Sequence, residues 1–231
     1  ISFFFGFIAI LGLLSFVILG VSLTILCENH YLHNLFGYTD PWEISWILFC
    51  AGIICLIGFV LGNLFYSSSN PIYLILYCAT LLIALILLTA TLWASAVFLQ
   101  KYQQSLEQDL GNAIFTYGLP GNSSSKRIVD SIQTYFQCCG VHNHSDWLIT
   151  PFYLTIAQWP DSCCLFRFKQ VYCGDAFALI YQYKGCLTSL YDHIKKVAIA
   201  LIATSTVGLF IILMGCLLVL ILFNKSKKKI F

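Results

Sequence analysis

The residues of this chain best suited to chemistry are its cysteines, and the most constrained of them are Cys138 and Cys139, followed by Gly140. A disulfide needs Cα atoms roughly 5–6 Å apart with suitable Cβ directions, so sequence neighbours do not bond to each other without strain. Cys138 and Cys139 therefore reach different partners, and the downstream candidates are Cys163, Cys164, Cys173 and Cys186. Six cysteines in one hydrophilic segment read as a disulfide framework formed in an oxidising compartment. Sequence alone leaves their pairing open. Zinc is the weaker reading, because no paired C-x-x-C spacing is present and adjacent cysteines suit a tetrahedral site poorly. The remaining cysteines, Cys27, Cys50, Cys55, Cys78 and Cys216, sit in or beside apolar runs, where cysteine acts as a small buried hydrophobe.

His142 and His144 lie near these cysteines and near Asp146, which suggests a Cys-His nucleophile. Cysteines committed to disulfides are not nucleophiles, however. The chain also has no Gly-rich phosphate loop, no H-E-x-x-H and no G-x-S-x-G. Glu28, His30 and His33 read as polar loop residues rather than metal ligands. No catalytic, cofactor-binding or metal-binding residue is expected, and the chain reads as a non-enzyme.

The elements that must carry these cysteines are membrane helices. Of 231 residues, 59% are hydrophobic and 10% charged, against about 25% charged in soluble domains. A net charge of +2 without a basic stripe argues against nucleic acid. Four uncharged apolar runs, 1–26, 44–66, 72–99 and 197–223, each reach the ~20 residues that cross a bilayer. Every Lys, Arg, Asp and Glu falls outside them, as expected where a charge at a helix centre costs about 2.5–3.5 kcal/mol. A short loop, 27–43, joins the first two spans, with Trp42 and Trp46 as an interfacial belt. A tight turn, 67–71, ending in Pro71, makes spans two and three antiparallel neighbours. In span two, Ala51, Cys55, Gly58 and Gly62 form one small-residue face for close helix packing, expected against span one.

The long segment 100–196 begins as a continuation of helix three, with Tyr102, Leu106, Leu110 and Phe115 among polar residues, and breaks at Gly118-Leu119-Pro120-Gly121. Lys126 to Phe136 is a second amphipathic stretch that delivers the cysteine pair. Asn122-Ser123-Ser124 and Asn143-His144-Ser145 are glycosylation sequons. Residues 141–185 are irregular, and 181–194 read as a helix leading into span four. The tail 224–231 holds a lysine cluster that belongs in the cytoplasm. Four spans then place both termini there and 100–196 outside. Lys195 and Lys196 oppose that rule and are outweighed by the disulfide argument. Lys228-Lys229-Ile230-Phe231 has the form of a dilysine retrieval signal, although a topology-setting basic flank is the favoured reading.

Four spans, a short first loop and a long second loop carrying C-C-G resemble the tetraspanin family. Asp146-Trp147 stand where the family carries Asp-Trp. Pro160-Asp161-Ser162-Cys163 fit its P-x-S-C, with Cys164 marking the six-cysteine subgroup. Gly185-Cys186 fit its Gly-Cys before span four. The resemblance implies an all-α membrane protein with a mostly helical, disulfide-bonded large extracellular loop between spans three and four. It also implies the pairings Cys138–Cys186, Cys139–Cys163 and Cys164–Cys173, and glycosylation at Asn122 and Asn143.

The function it implies is that of a non-catalytic membrane organiser in the plasma membrane or an endomembrane. Its partners would be other membrane proteins in cis (tetraspanins, integrins, receptors) and the lipid bilayer, sterol included. The contact region would lie between 141 and 185. There Trp147, Phe152, Tyr153, Trp159, Phe166, Phe168 and Tyr172 divide between contact surface and the loop's own core. Two features depart from the family. The Asn of span one and the acidic or Gln residues of spans three and four are missing, and Val60-Leu61 replace the usual Cys-Cys acylation pair before Gly62. Of the alternatives, a small four-span transporter or channel lacks intramembrane charge. A claudin-like junction protein would carry its disulfide loop between spans one and two.

Overall fold

The computed structural model describes residues 2–29, 41–68, 70–121, 123–164 and 184–227. Most of the first loop, Asn122, Phe166, Phe168, Tyr172, Cys173 and the Lys228-Lys229 pair lie outside the described residues. Within them the chain is helical: α1 (Ser2–Asn29), α2 (Pro41–Ser68), α3 (Pro71–Phe115), α4 (Ser123–Phe136), α5 (Pro151–Ile156) and α6 (Cys186–Lys227). Two short 3-10 turns, His144–Ile149 and Asp161–Cys163, complete it. Four helices are long and apolar enough to cross a membrane. The described residues divide into two compact units, one within 1–28, 41–97 and 198–231, the other within 29–40 and 98–197.

In the first unit, proline opens helices rather than breaking them. Pro41 starts α2, with Glu43 in the first turn against the helix dipole. Pro71 starts α3, where the Asn70 side chain accepts the Ile72 N–H at 3.0 Å and so caps an otherwise orphan donor. The bundle interior holds Leu11 and Ile18 of α1, Leu48 and Ala51 of α2, Tyr77 and Leu88 of α3, and Leu201 and Ile212 of α6. Ala51 and Cys55 are buried, and α2's small face serves two neighbours. A Cβ on Gly62 would stand 3.1 Å from Ile8 of α1 and 3.4 Å from Tyr77 of α3, and one on Gly58 would stand 3.0 Å from Thr80 of α3. Backbones therefore approach where side chains are absent, which is how helices associate in lipid. Leu13, Ile75, Trp93 and Phe210 stand on the outside, each about two-thirds exposed or more. Such a surface is stable against hydrocarbon and not against water.

In the second unit, α3 buries Tyr102, Leu106, Leu110 and Ile114 and leaves Phe115 half exposed. Gly118 and Gly121, both at positive φ, carry the turn into α4. α4 is amphipathic and buries Ile128, Val129, Ile132 and Gln133.

Candidate interaction domain

The cysteine pair sits where α4 ends. Gln137 takes the left-handed conformation, φ 50°, and the Cys138 N–H donates to the Gln133 carbonyl at 3.2 Å. That six-to-one bond closes the helix as a Schellman motif and turns the two cysteines out of the helical path. Cys138 bonds to Cys186 and Cys139 to Cys163, each with Cα atoms 5.0 Å apart. Cys164 is also disulfide-bonded. Cys173, the partner the resemblance implies for it, lies outside the described residues.

The residues around the pair form a clasp. The Cys139 N–H donates to the Lys184 carbonyl at 2.9 Å, the Cys186 N–H to the Gly140 carbonyl at 3.1 Å, and the Leu187 N–H to the Val141 carbonyl at 3.0 Å. The last two satisfy N–H groups that the first turn of α6 would otherwise leave orphaned. Two glycines make this approach possible. Gly140 has φ +75°, and a Cβ there would collide with the Asn143 carbonyl. A Cβ on Gly185 would collide with the His142 and Val141 carbonyls.

The remaining motif residues close the turn. The Asp146 carboxylate accepts the His142 N–H at 2.7 Å and the Asn143 N–H at 3.0 Å through one oxygen. Asn143 in return accepts the Ser145 N–H at 2.7 Å, so a sequon asparagine is also a cap, and it is half-buried. Trp147 is fully buried, edge-on to Tyr117 at 5.0 Å. His142 lies 2.8 Å from Glu107, but both are exposed, so the pair contributes little.

One residue that the sequence reading passed over joins these motifs. Gln133 is buried on α4. With its amide nitrogen facing Ser162 at 2.7 Å, its oxygen accepts from Trp147 Nε1 at 3.3 Å and from the Gly140 N–H at 3.2 Å. Ser162 then donates to Asp130 Oδ1 at 2.8 Å, and the Tyr117 hydroxyl donates to the same oxygen at 2.8 Å. Burial first, then the charge of Asp130, pushes the Tyr117 phenol well above its ordinary range. The available signal was a glutamine in register with Ile128, Val129 and Ile132 on the apolar face.

Two aromatics named as contact candidates are core instead. Trp147 is sealed in, and Trp159 is buried with its Nε1 donating to the His144 carbonyl at 3.0 Å. Phe152 packs edge-on to Tyr117 at 4.8 Å, and Tyr153 edge-on to Trp159 at 4.9 Å. The exposed apolar side chains nearby are aliphatic: Leu148, Ile149, Leu154 and Ile156. Among the described residues no group of His, Cys, Asp and Glu is arranged to hold a metal.

Four long apolar helices and a disulfide-clasped domain inserted before the last of them define a multi-pass membrane protein. Residues 1–225 match the model described as Tetraspanin family, and the chain belongs to that family. Tetraspanin-4 of Homo sapiens is 30% identical over 119 residues, 52% of this chain and 48% of that protein. CD63 antigen of Felis catus is 27% identical over 179 residues, 75% of this chain and 72% of that protein. Leukocyte surface antigen CD53 of Bos taurus is 28% identical over 137 residues, 58% and 60%. The chain thus matches about half the length of human Tetraspanin-4.

Proposed function

We propose that this tetraspanin acts without catalysis, as a membrane organiser that binds other membrane proteins in cis and influences their trafficking, clustering and signalling. Both termini lie in the cytoplasm and the disulfide-bonded domain lies outside or in a lumen, with sugars on Asn122 and Asn143. The clients are other tetraspanins, integrins or receptors, and the spans contact the bilayer and its sterol. A leukocyte surface antigen among the relatives supports the plasma membrane as one location.

The observation that carries this reading is the side chains the domain leaves in water. Ile149 and Leu154 are each 74% exposed, on segments fixed by caps at Asn143 and Thr150. Large aliphatic side chains held in water by capped segments are candidates for contact with a partner. The test is proximity labelling from the domain in intact cells, followed by mild-detergent isolation. A dominant membrane partner lost when 141–185 is exchanged for another tetraspanin's loop is the expected result. A partner list unchanged by the exchange would move recognition into the spans.

A further inference from the structure

We propose that the cleft between Tyr117, α4 and the Asp161–Cys163 turn receives an arginine side chain presented by a partner protein; this deepens the organiser reading and rests on it. The cleft has a volume of about 440 Å³ and opens to solvent. Its walls are the rings of Tyr117, Phe152 and Trp159, and its polar groups include Asp130, Asp161 and Lys126.

The charge in the cleft is unbalanced. Asp130 uses Oδ1 to accept both Tyr117 and Ser162, and its Oδ2 has no partner among the described residues. Asp161 is exposed and forms no ion pair among the described residues. Both carboxylates act electrostatically on the Tyr117 hydroxyl, so their fields converge on one wall. Lys126 stands one turn before Asp130 without bridging to it. Its Nζ lies 5.9 Å from the Tyr117 ring centroid. That wall therefore already accepts an ammonium over its face, as electron-rich rings do.

An incoming guanidinium would stack on the aromatic walls and take Asp130 Oδ2 and Asp161 as acceptors. An anionic group would meet two carboxylates, and an apolar one would strip water from Asp130 without replacing it. Of the three, only a cation pairs with both carboxylates, which outnumber the single ammonium of Lys126.

The experiment uses the full chain in lipid nanodiscs, with N-acetyl-arginine amide as probe and N-acetyl-citrulline amide as its neutral isostere, read by saturation-transfer NMR. Saturable binding of the arginine probe alone is expected. Asp130→Asn, which keeps an acceptor at Oδ1, should weaken it about tenfold. Asp161→Asn, at an exposed position that leaves the fold intact, should weaken it severalfold. Equal binding of both probes, or no saturable binding of arginine, overturns the proposal. In cells, partners kept by both Asp variants but lost on loop exchange overturn the cleft and leave the organiser reading. No partner even with the native chain overturns the organiser reading, and the NMR result then decides the cation site by itself.

Discussion

The two units of this protein solve the same problem with different means. In the membrane bundle the buried serines bond within their own helices. Ser15, Ser22, Ser95 and Ser205 are buried, and each donates to a carbonyl three or four residues back in its own helix. Association between these helices rests on shape, with glycine or alanine where a neighbour's side chain comes in. In the disulfide-bonded domain the hydrogen bonds reach far along the chain. Tyr117 meets Asp130, Trp159 meets His144, and Ser162 meets both Asp130 and Gln133. Edge-on aromatic pairs and covalent bridges add to them. The contrast follows from the solvent. Lipid removes the hydrophobic drive between helices and penalises unpaired polar groups, so close fit decides. A small water-facing domain with irregular backbone buries too little apolar surface for its size and needs staples.

The largest effect should come from breaking a staple. Cys138→Ser removes the bridge to Cys186, which should destabilise the domain by ~2–5 kcal/mol, while bundle helicity stays unchanged. Protease sensitivity confined to 98–197 and intracellular retention are the expected readouts. Normal surface display with native protease resistance would remove the contrast.

Next come the glycines. Gly140→Ala places a Cβ against the Asn143 carbonyl at a positive φ and should cost ~2–4 kcal/mol. Gly20→Ala, with nothing near its would-be Cβ, should change stability by at most ~1 kcal/mol, in the stabilising direction. Thermal melts of the two variants side by side would expose any similarity between them.

Hydroxyls separate the units more finely. Ser162→Ala leaves Gln133 and Asp130 each short of a partner, a loss of ~1–3 kcal/mol. Ser95→Ala only deletes a bond within its own helix, and ~0.6 kcal/mol or less is expected. Equal losses in denaturant titration would mean that the bundle also relies on its hydroxyls.

The smallest effect is a pH limb. The folded-state pKa of Tyr117 is raised, so its contribution is complete below the unfolded phenol value of about 10 and declines as pH rises beyond it. Tyr117→Phe should flatten the domain's alkaline stability loss. Parallel native and variant curves between about pH 9 and 11 would contradict this.

Sequence reached the bundle readily because lipid excludes charge along whole segments, and a rule with so few exceptions is visible residue by residue. It also reached Cys138, Gly140, Asp146 and Gly185 as motif positions, through resemblance, but not the reason for each. Gly185 is needed because the His142 carbonyl lies against it, a contact between residues far apart in the chain. Gln133 escaped because a polar residue on an apolar helical face looks like an irregularity until its three partners converge. Trp147 and Trp159 were ambiguous for a related reason, since ring size predicts neither burial nor exposure. Gly118 and Pro120 read as the end of α3, which stops at Phe115, whereas Pro71 reads equally as the stop of one helix and the start of the next.

The clasp between 139–141 and 184–187 has a consequence for what can be inserted between its jaws. Both ends of the intervening stretch are pinned side by side, and within it Asp146, Trp147, Ser162 and Cys163 are part of the mounting. Lengthening a closed loop is cheap, about 0.6 kcal/mol for each doubling. A foreign epitope or a second recognition loop could therefore be grafted after Cys164 and before Lys184, with those four residues kept, while the helices keep their register.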